Sequence, residues 1–156
     1  MGFFTLETMQ AQLSPGGNFS PWVWDLGLKA EAVGADEVRV RLPYNERIAR
    51  PGGVVIGQAM MALSDSILVL AFCERLGRFA TMATISLTTN FLRPAVRQDI
   101  IGVARAVKVG RTTAFGEVDI FADGSPDRIA QTIGSFAVLP EGVGGVFKPA
   151  DARGSR

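Results

Sequence analysis

The chain has 156 residues, of which 47% are hydrophobic and 20% are charged, so it is long and apolar enough to bury the core of one domain. Its 16 Lys and Arg residues nearly balance its 15 Asp and Glu residues, and a net charge of +1 gives no reason to expect a nucleic-acid or membrane-surface partner. Histidine is absent, which excludes His-based triads, His general bases and the commonest metal ligands. We therefore expect neither a metal nor a cofactor.

The cysteine and the N-terminal residues bear on location. Cys73 is the single cysteine, so an intrachain disulfide is impossible, and such usage suits a cytoplasmic protein. Residues 1–13 lack a basic flank followed by a long apolar stretch, so no signal peptide is expected. Residues 54–72 are apolar over nearly the length that spans a bilayer. Asp65 near their centre, which would cost about 2.5–3.5 kcal/mol there, favours a buried helix instead.

The first part of the chain reads as a lead segment followed by a hairpin. Residues 1–21 are predicted to form a short helical or irregular lead, which ends in a cluster of breakers at 14–18. Apolar and polar residues then alternate over 24–32, which predicts a strand with one wet face. A second alternating run over 37–42 follows the turn at 34–36, and the two runs are predicted to form a β-hairpin.

A loop and a long helix come next. Residues 43–53 are rich in polar residues and end in Pro-Gly-Gly, which is typical of a loop. The following run predicts a helix from about Gly57 to about Leu76, with Gly77 as its C-terminal cap. Because its apolar side chains lie nearly all round, this helix should be wrapped by other elements.

Four more strands are predicted after the helix, at 81–93, 100–109, 112–121 and 128–139. The connections are too short for parallel crossovers, so these strands are predicted to form an antiparallel meander. The whole pattern predicts one α+β domain over 22–140, with an antiparallel sheet of about six strands around one central helix, and a flexible tail at 141–156. Pairing the open sheet edges of two subunits would cover one edge of each, so a homodimer is expected.

Asp65 is the residue that fits the apolar helix least. A carboxylate there is costly unless it is paired or faces a wet cavity. Two interpretations stay open: a buried acid bonded to a strand hydroxyl or a partner subunit, or a carboxylate that activates water or attacks an acyl carbon. Gln58 lies seven positions earlier, on the same helix face. Gly57 could supply the complementary group, because amides at a helix N-terminus favour developing negative charge.

Four segments together resemble one known family in order and spacing. They are Pro-Gly-Gly-Val-Val-Ile-Gly-Gln at 51–58 leading into Ala-Leu-Ser-Asp-Ser at 62–66, the strand at 84–95, the turn at 107–112 and the final strand at 133–139. Over about residues 35–140 the chain resembles the PaaI-like thioesterases of the 4-hydroxybenzoyl-CoA thioesterase, or hotdog, superfamily. The resemblance implies a hotdog fold and the hydrolysis of an acyl-CoA thioester to a free acid and coenzyme A.

The resemblance also implies roles for individual residues. Asp65 matches the family's catalytic acid, Gly57 matches the glycine whose amide polarises the thioester carbonyl, and Thr84 matches a hydroxyl that helps to place the water. In the family the acid and the amide come from different subunits, so the site would lie at the interface of a homodimer or of a dimer of dimers. Gln58 is expected among the catalytic residues, and the residues expected near the acyl group or coenzyme A are Arg50, Ile56, Met61, Arg93, Arg111 and Thr112.

Two departures from the family pattern affect the functional hypothesis. Ile56 and Gln58 stand on either side of Gly57 where the family has His-Gly-Gly, and Arg50 stands where it commonly has Asn. Ile56 cannot form a hydrogen bond, although Gln58 could donate to a carbonyl or hold a water. The alternative hypothesis is a non-catalytic hotdog module that binds an acyl-CoA or a lipid-like ligand. Dehydratase chemistry on this fold normally needs an Asp–His pair, which a chain without histidine lacks.

Overall fold

In the computed structural model, which describes residues 2–143, a six-stranded antiparallel sheet packs around a 20-residue helix. The helices are α1 (Leu6–Leu13), α2 (Pro21–Trp24) and α3 (Gly57–Leu76), and a 3-10 turn spans Glu46–Ile48. The strands are β1 (Lys29–Val33), β2 (Val38–Leu42), β3 (Ala49–Arg50), β4 (Val54–Val55), β5 (Met82–Phe91), β6 (Ile100–Val109), β7 (Thr113–Ala122) and β8 (Arg128–Val138). The tail predicted at 141–156 lies outside the described residues from position 144 onwards.

The order of strands in the sheet is β1-β2-β6-β7-β8-β5, with a separate two-stranded ladder of β3 and β4. The predicted hairpin of β1 and β2 is confirmed, and β6, β7 and β8 form an antiparallel meander. The prediction that all four later strands form one meander was wrong, because β5 pairs with β8 and not with β6. The reason is that β6 already has β2 on its other side, so the free edge of β8 is the position left for β5.

The central helix α3 begins and ends where the sequence predicts. Ile56 precedes it in an extended conformation, and Gly77 ends it in the left-handed region at φ 69°, which glycine adopts without strain. Its buried side chains contact β2, β5, β6, β7 and β8. No helix within residues 2–143 has the length and apolar character needed to cross a bilayer.

Close packing of α3 on the sheet depends on glycines in neighbouring strands. A Cβ added to Gly116 of β7 would lie 2.7 Å from Leu68 Cδ2, and one added to Gly134 of β8 would lie 2.6 Å from Leu68 Cδ1. These two glycines are direct partners across the β7–β8 pair. Leu68 is fully buried and therefore fills the space that two missing side chains leave.

The strand predicted over 24–32 was wrong at its start. Ser20 and Pro21 begin the short helix α2, in agreement with the preference for proline in the first helical turn. Gly27 then turns the chain at φ 66°, and β1 begins only at Lys29. The turn buries Leu26 and Leu28 on either side of Gly27. It therefore produces the same alternation of apolar and polar residues that indicated a strand.

The two edges of the sheet differ. Helix α1 lies along β1, where Gln10 Oε1 accepts a hydrogen bond from Ala30 N at 2.8 Å and Gln10 Nε2 donates to Leu28 O at 3.1 Å. At the other edge, β5 pairs only with β8 within the described residues, and most of its side chains are exposed. The β1 edge is thus covered by the chain itself, and the β5 edge is open.

Arg41 of β2 holds together three segments near the β1 edge. Its guanidinium donates hydrogen bonds to the carboxylates of Asp99 and Asp123, and to Glu31 of β1. The hydrogen bond from Arg41 holds the pKa of the Asp123 carboxyl below its ordinary value of 3.8. The folded protein therefore favours the ionised form of this carboxyl.

Candidate active site

A cavity of about 570 Å³ opens beside the first turn of α3. We call it the arginine cavity, because its lining residues include two arginines and no acid. It contains five of the ten predicted site residues, namely Arg50, Ile56, Gly57, Gln58 and Arg93. Val54, Val55, Met60, Phe91, Leu92 and Pro94 complete the lining. The cavity thus combines an apolar wall with positive charge.

The backbone amide of Gly57 is available to a ligand, and the residue has no side chain to block its approach. A Cβ at this position would lie 2.8 Å from Phe91 Cζ, so the glycine makes room for the Phe91 ring. The backbone N–H groups of Gly57 and Gln58 have no hydrogen-bond acceptor in the part of the chain that the structure describes, as is usual in the first turn of a helix. They remain available to a ligand oxygen with partial negative charge.

The short hairpin of β3 and β4 positions Arg50 at the cavity wall. Its turn uses Gly52 and Gly53 at φ 98° and 81°, a region that other residues rarely adopt. Arg97 fixes this turn, since its backbone N–H donates to Gly53 O at 2.9 Å and its side chain lies against Gly53. Arg50 itself is exposed and forms no ion pair within residues 2–143.

Asp65 and Thr84, both expected among the catalytic residues, are in direct contact. Thr84 Oγ1 donates a hydrogen bond of 2.7 Å to Asp65 Oδ1, which leaves Asp65 Oδ2 without a partner in the described chain. Asp65 is half-buried, and Thr84 lies beside a bulge in β5 that leaves Ile85 unpaired and 60% exposed. Met61, one turn earlier on α3, is half-buried. The acid is therefore a paired carboxylate within reach of solvent.

Asp65 does not meet Gly57 within one chain. The two residues are eight positions apart on α3, which corresponds to about 12 Å along the helix axis at 1.5 Å per residue. A carbonyl that accepts a hydrogen bond from the Gly57 amide is consequently out of reach of the Asp65 carboxylate of the same chain.

Arg111 and Thr112 lie at the turn between β6 and β7, away from the arginine cavity of their own chain. Thr112 O accepts a hydrogen bond from Val138 N at 2.9 Å, which places this turn at the end of the sheet where β5 begins. Arg93 follows the opposite end of β5, where its Nη1 donates to Arg128 O at 2.8 Å. Within one chain, Arg111 and Thr112 are therefore separated from Arg93 by about the length of β5.

Comparison with known proteins identifies the family. The model of the thioesterase superfamily matches residues 52–128, a segment that includes α3, Gly57, Asp65 and Thr84. A candidate esterase of Halobacterium salinarum is 36% identical, and the match covers 73% of this chain and 82% of that protein. The chain belongs to the thioesterase superfamily.

Solved structures of the superfamily confirm the fold. A thioesterase of Haemophilus influenzae superposes with a TM-score of 0.76 at 26% identity, over 87% of this chain and 91% of that one. A candidate thioesterase of a Silicibacter species superposes with a TM-score of 0.67 at 32% identity, over 72% of this chain and 79% of that one. The predicted hotdog fold is confirmed, and these relatives support thioester hydrolysis as the general activity.

Sequence reasoning missed a second cavity, of about 350 Å³, which shares Ile56 and Gln58 with the arginine cavity. Asp25 of its lining was assigned to the strand predicted over 24–32, although the Ser20-Pro21 pair is a helix-start signal that could have placed it after a short helix.

Proposed function

We propose that the protein hydrolyses an acyl-CoA thioester. The observation that carries this proposal is the hydrogen bond of 2.7 Å from Thr84 to Asp65, which holds a reactive carboxylate on an otherwise apolar helix. Asp65 takes a proton from water as the resulting hydroxide attacks the thioester carbonyl carbon, and the Gly57 amide stabilises the oxyanion. The C–S bond then breaks, and the thiolate of coenzyme A takes up the proton. Direct attack by Asp65 would instead form a mixed anhydride, which water then cleaves.

The separation of Asp65 and Gly57 supports a homodimer with its site at the interface. If the open β5 edges of two subunits pair antiparallel around Leu87 and Thr88, position 84 of one strand lies opposite position 91 of the other. Thr84 bonds to Asp65, and Phe91 lies on Gly57, so this pairing places the acid of one subunit near the amide of the other. The site is complete only in the pair.

The same pairing assigns roles to the arginines. The start of β5 in one subunit would approach the end of β5 in the other, which brings Arg111 and Thr112 of one chain towards Arg50 and Arg93 of its partner. Phosphates of coenzyme A would bind this group, since arginine donates several hydrogen bonds to a phosphate. Gln58, also in the lining, would orient the carbonyl or the water. An acyl-CoA substrate and the reduced Cys73 also fit a cytoplasmic location.

The outer face of the sheet supports a further association into a dimer of dimers. Four large apolar side chains are exposed there on neighbouring strands, namely Ile85, Val107, Phe115 and Ile133. Exposed apolar patches of this kind are typical of protein interfaces. Light scattering of the wild-type protein decides between a dimer and a tetramer.

One observation favours the alternative function of a non-catalytic binding module. Ile56 packs partly buried against the core, where it presents no hydrogen-bonding group to the arginine cavity. Saturable binding of acyl-CoA esters without any release of thiol, across aliphatic and aromatic acyl groups, would support this alternative.

The test is release of coenzyme A by wild type and by Asp65→Asn over a panel of acyl- and aryl-CoAs, followed with a thiol reagent. Loss of the acid should lower kcat by about 10²- to 10⁴-fold without changing the oligomeric state. Asp36→Asn is the matched control, because the Asp36 side chain is 95% exposed in the turn between β1 and β2. Unchanged release by Asp65→Asn would refute the proposal. Burial raises the pKa of the Cys73 thiol to about 11, so the reagent reports on released thiol alone.

A further inference from the structure

The second cavity beside the start of α3, of about 350 Å³, has walls from three parts of the chain. We call it the Trp22 cavity. Trp22, Asp25 and Leu26 come from α2 and its following turn, and Asn45 to Ile48 come from the 3-10 turn and the residue before it. Ile56, Gln58 and Ala59 form the wall shared with α3. Helix α2 and the turn after it thus contribute directly to a cavity next to the candidate site.

Several side chains of the Trp22 cavity have hydrogen-bonding groups or surface that no contact within residues 2–143 occupies. The Trp22 indole is 60% exposed. The Asp25 carboxylate and the Arg47 guanidinium form no ion pair or hydrogen bond with any residue between 2 and 143. Glu46 accepts one hydrogen bond, from Tyr44 OH at 3.1 Å. The amide of Asn45 uses only its oxygen, which accepts from Arg47 N at 2.9 Å.

The two cavities meet at the residues on either side of the proposed oxyanion donor. Ile56 and Gln58 line both cavities, whereas Gly57, which lies between these two residues in the chain, lines the arginine cavity. A thioester carbonyl bound at the Gly57 amide carries two substituents, the acyl group and the sulfur of coenzyme A, which extend from the carbonyl carbon in different directions. The arginine cavity carries positive charge without an acid and suits the anionic coenzyme A arm, so the acyl arm is directed to the Trp22 cavity.

We propose that the Trp22 cavity binds the acyl group, that it selects short acyl groups with a polar end, and that Trp22 is a specificity-determining residue. This inference rests on the proposed thioesterase function. The Trp22 ring provides a large rigid contact surface, and Asp25, Asn45 and Arg47 provide donors and acceptors for a hydroxyl or a similar group.

The charged walls of the cavity argue against a long aliphatic acyl chain. Such a chain would remove water from Asp25, Glu46 and Arg47 without replacing its hydrogen bonds, and the uncompensated desolvation of charged groups is costly. A polar acyl group restores these hydrogen bonds. The site then discriminates against an analogue that lacks its hydroxyl group, because the protein groups are left unpaired.

The test compares hexanoyl-CoA, 3-hydroxyhexanoyl-CoA and palmitoyl-CoA as substrates of the wild type, Trp22→Ala and the control Leu6→Ala, whose side chain is exposed on α1. For the wild type, kcat/KM should be at least about tenfold higher for the hydroxylated substrate than for the other two. Trp22→Ala should lower kcat/KM for the hydroxylated substrate by about tenfold and leave kcat/KM for palmitoyl-CoA unchanged. The control Leu6→Ala should not show this selective loss. Palmitoyl-CoA as the best substrate, or an equal effect of Trp22→Ala on all three, would overturn the inference.

A binding measurement separates this inference from the proposed function. The thioethers S-hexyl-CoA and S-(3-hydroxyhexyl)-CoA cannot be hydrolysed, and the hydroxylated one should quench indole fluorescence in the wild type and in Trp24→Phe but not in Trp22→Phe. Quenching assigned to Trp22 without turnover of any ester would refute hydrolysis and retain the acyl cavity. Turnover with no contribution of Trp22 to quenching or specificity would refute the acyl cavity alone.

Discussion

The proposal that the site spans two subunits can be tested by mixing two inactive variants. Asp65→Asn removes the acid. Gly57→Val adds a branched side chain at a position where even a Cβ would lie 2.8 Å from the exposed Phe91 ring. The second change blocks approach to the amide, and Phe91 can move aside, so the fold is retained. Each variant alone should lose at least about 10²-fold in kcat.

The expected recovery follows from the separation of about 12 Å between the two groups along α3. Random pairing of equal amounts makes half of the dimers mixed, and a mixed dimer has one site with both changes and one site with neither. About one quarter of all sites, and therefore about one quarter of wild-type kcat, should return with an unchanged KM. If both groups acted within one chain, each site would carry one change and no activity would return.

The assay uses variants with different affinity tags, mixed by co-expression and purified in tandem so that only mixed dimers remain. These should release coenzyme A at about half the wild-type rate per dimer. Isolated mixed dimers that are as inactive as either parent would refute the reasoning from helix geometry.

Two further predictions concern stability. Gly134→Ala places a Cβ 2.6 Å from Leu68 Cδ1 and should lower the free energy of unfolding by about 1–3 kcal/mol, measured by urea denaturation at one protein concentration, whereas Gly34→Ala, with its nearest atom at 3.8 Å, should have little effect. Arg41→Gln should lower the melting temperature near neutral pH. Because Arg41 lowers the folded-state pKa of Asp123, its contribution is present above the ordinary value of 3.8 and is lost as the pH falls, so the difference from wild type should narrow below about pH 4. An equal difference at all pH values would contradict this assignment.

The central helix could be predicted from sequence because its signals are local. An apolar run of suitable length between Gly57 and Gly77 defines both ends without reference to the rest of the chain. The hydrogen bond between Asp65 and Thr84 was not predicted, because it joins residues 19 positions apart; the resemblance only assigned both residues to one site. The placement of β5 beside β8 was missed, because it depends on which neighbours β6 already has.

The parts of the site that could not be predicted come from weak local signals and long-range packing. A turn such as the one at Gly27 can leave apolar residues alternately buried, so that Trp24, at the end of α2, and the turn after it were interpreted as part of a strand. The contact of Phe91 with Gly57 joins the end of β5 to the start of α3, and no spacing in the sequence shows it. For the same reason, the shared walls of the two cavities became evident only in three dimensions.

The contact of Gln10 with β1 limits how far the molecule can assemble through its sheet. A sheet with two free edges can add copies at both ends and grow without limit, as amyloid fibrils do. Here Gln10 occupies backbone groups of the β1 edge at Ala30 and Leu28, so strand addition is directed to the edge formed by β5. Once two copies join there, each presents only a blocked edge. With the proposed pairing of β5 edges, association would therefore end as a closed pair with two-fold symmetry, and not as a filament.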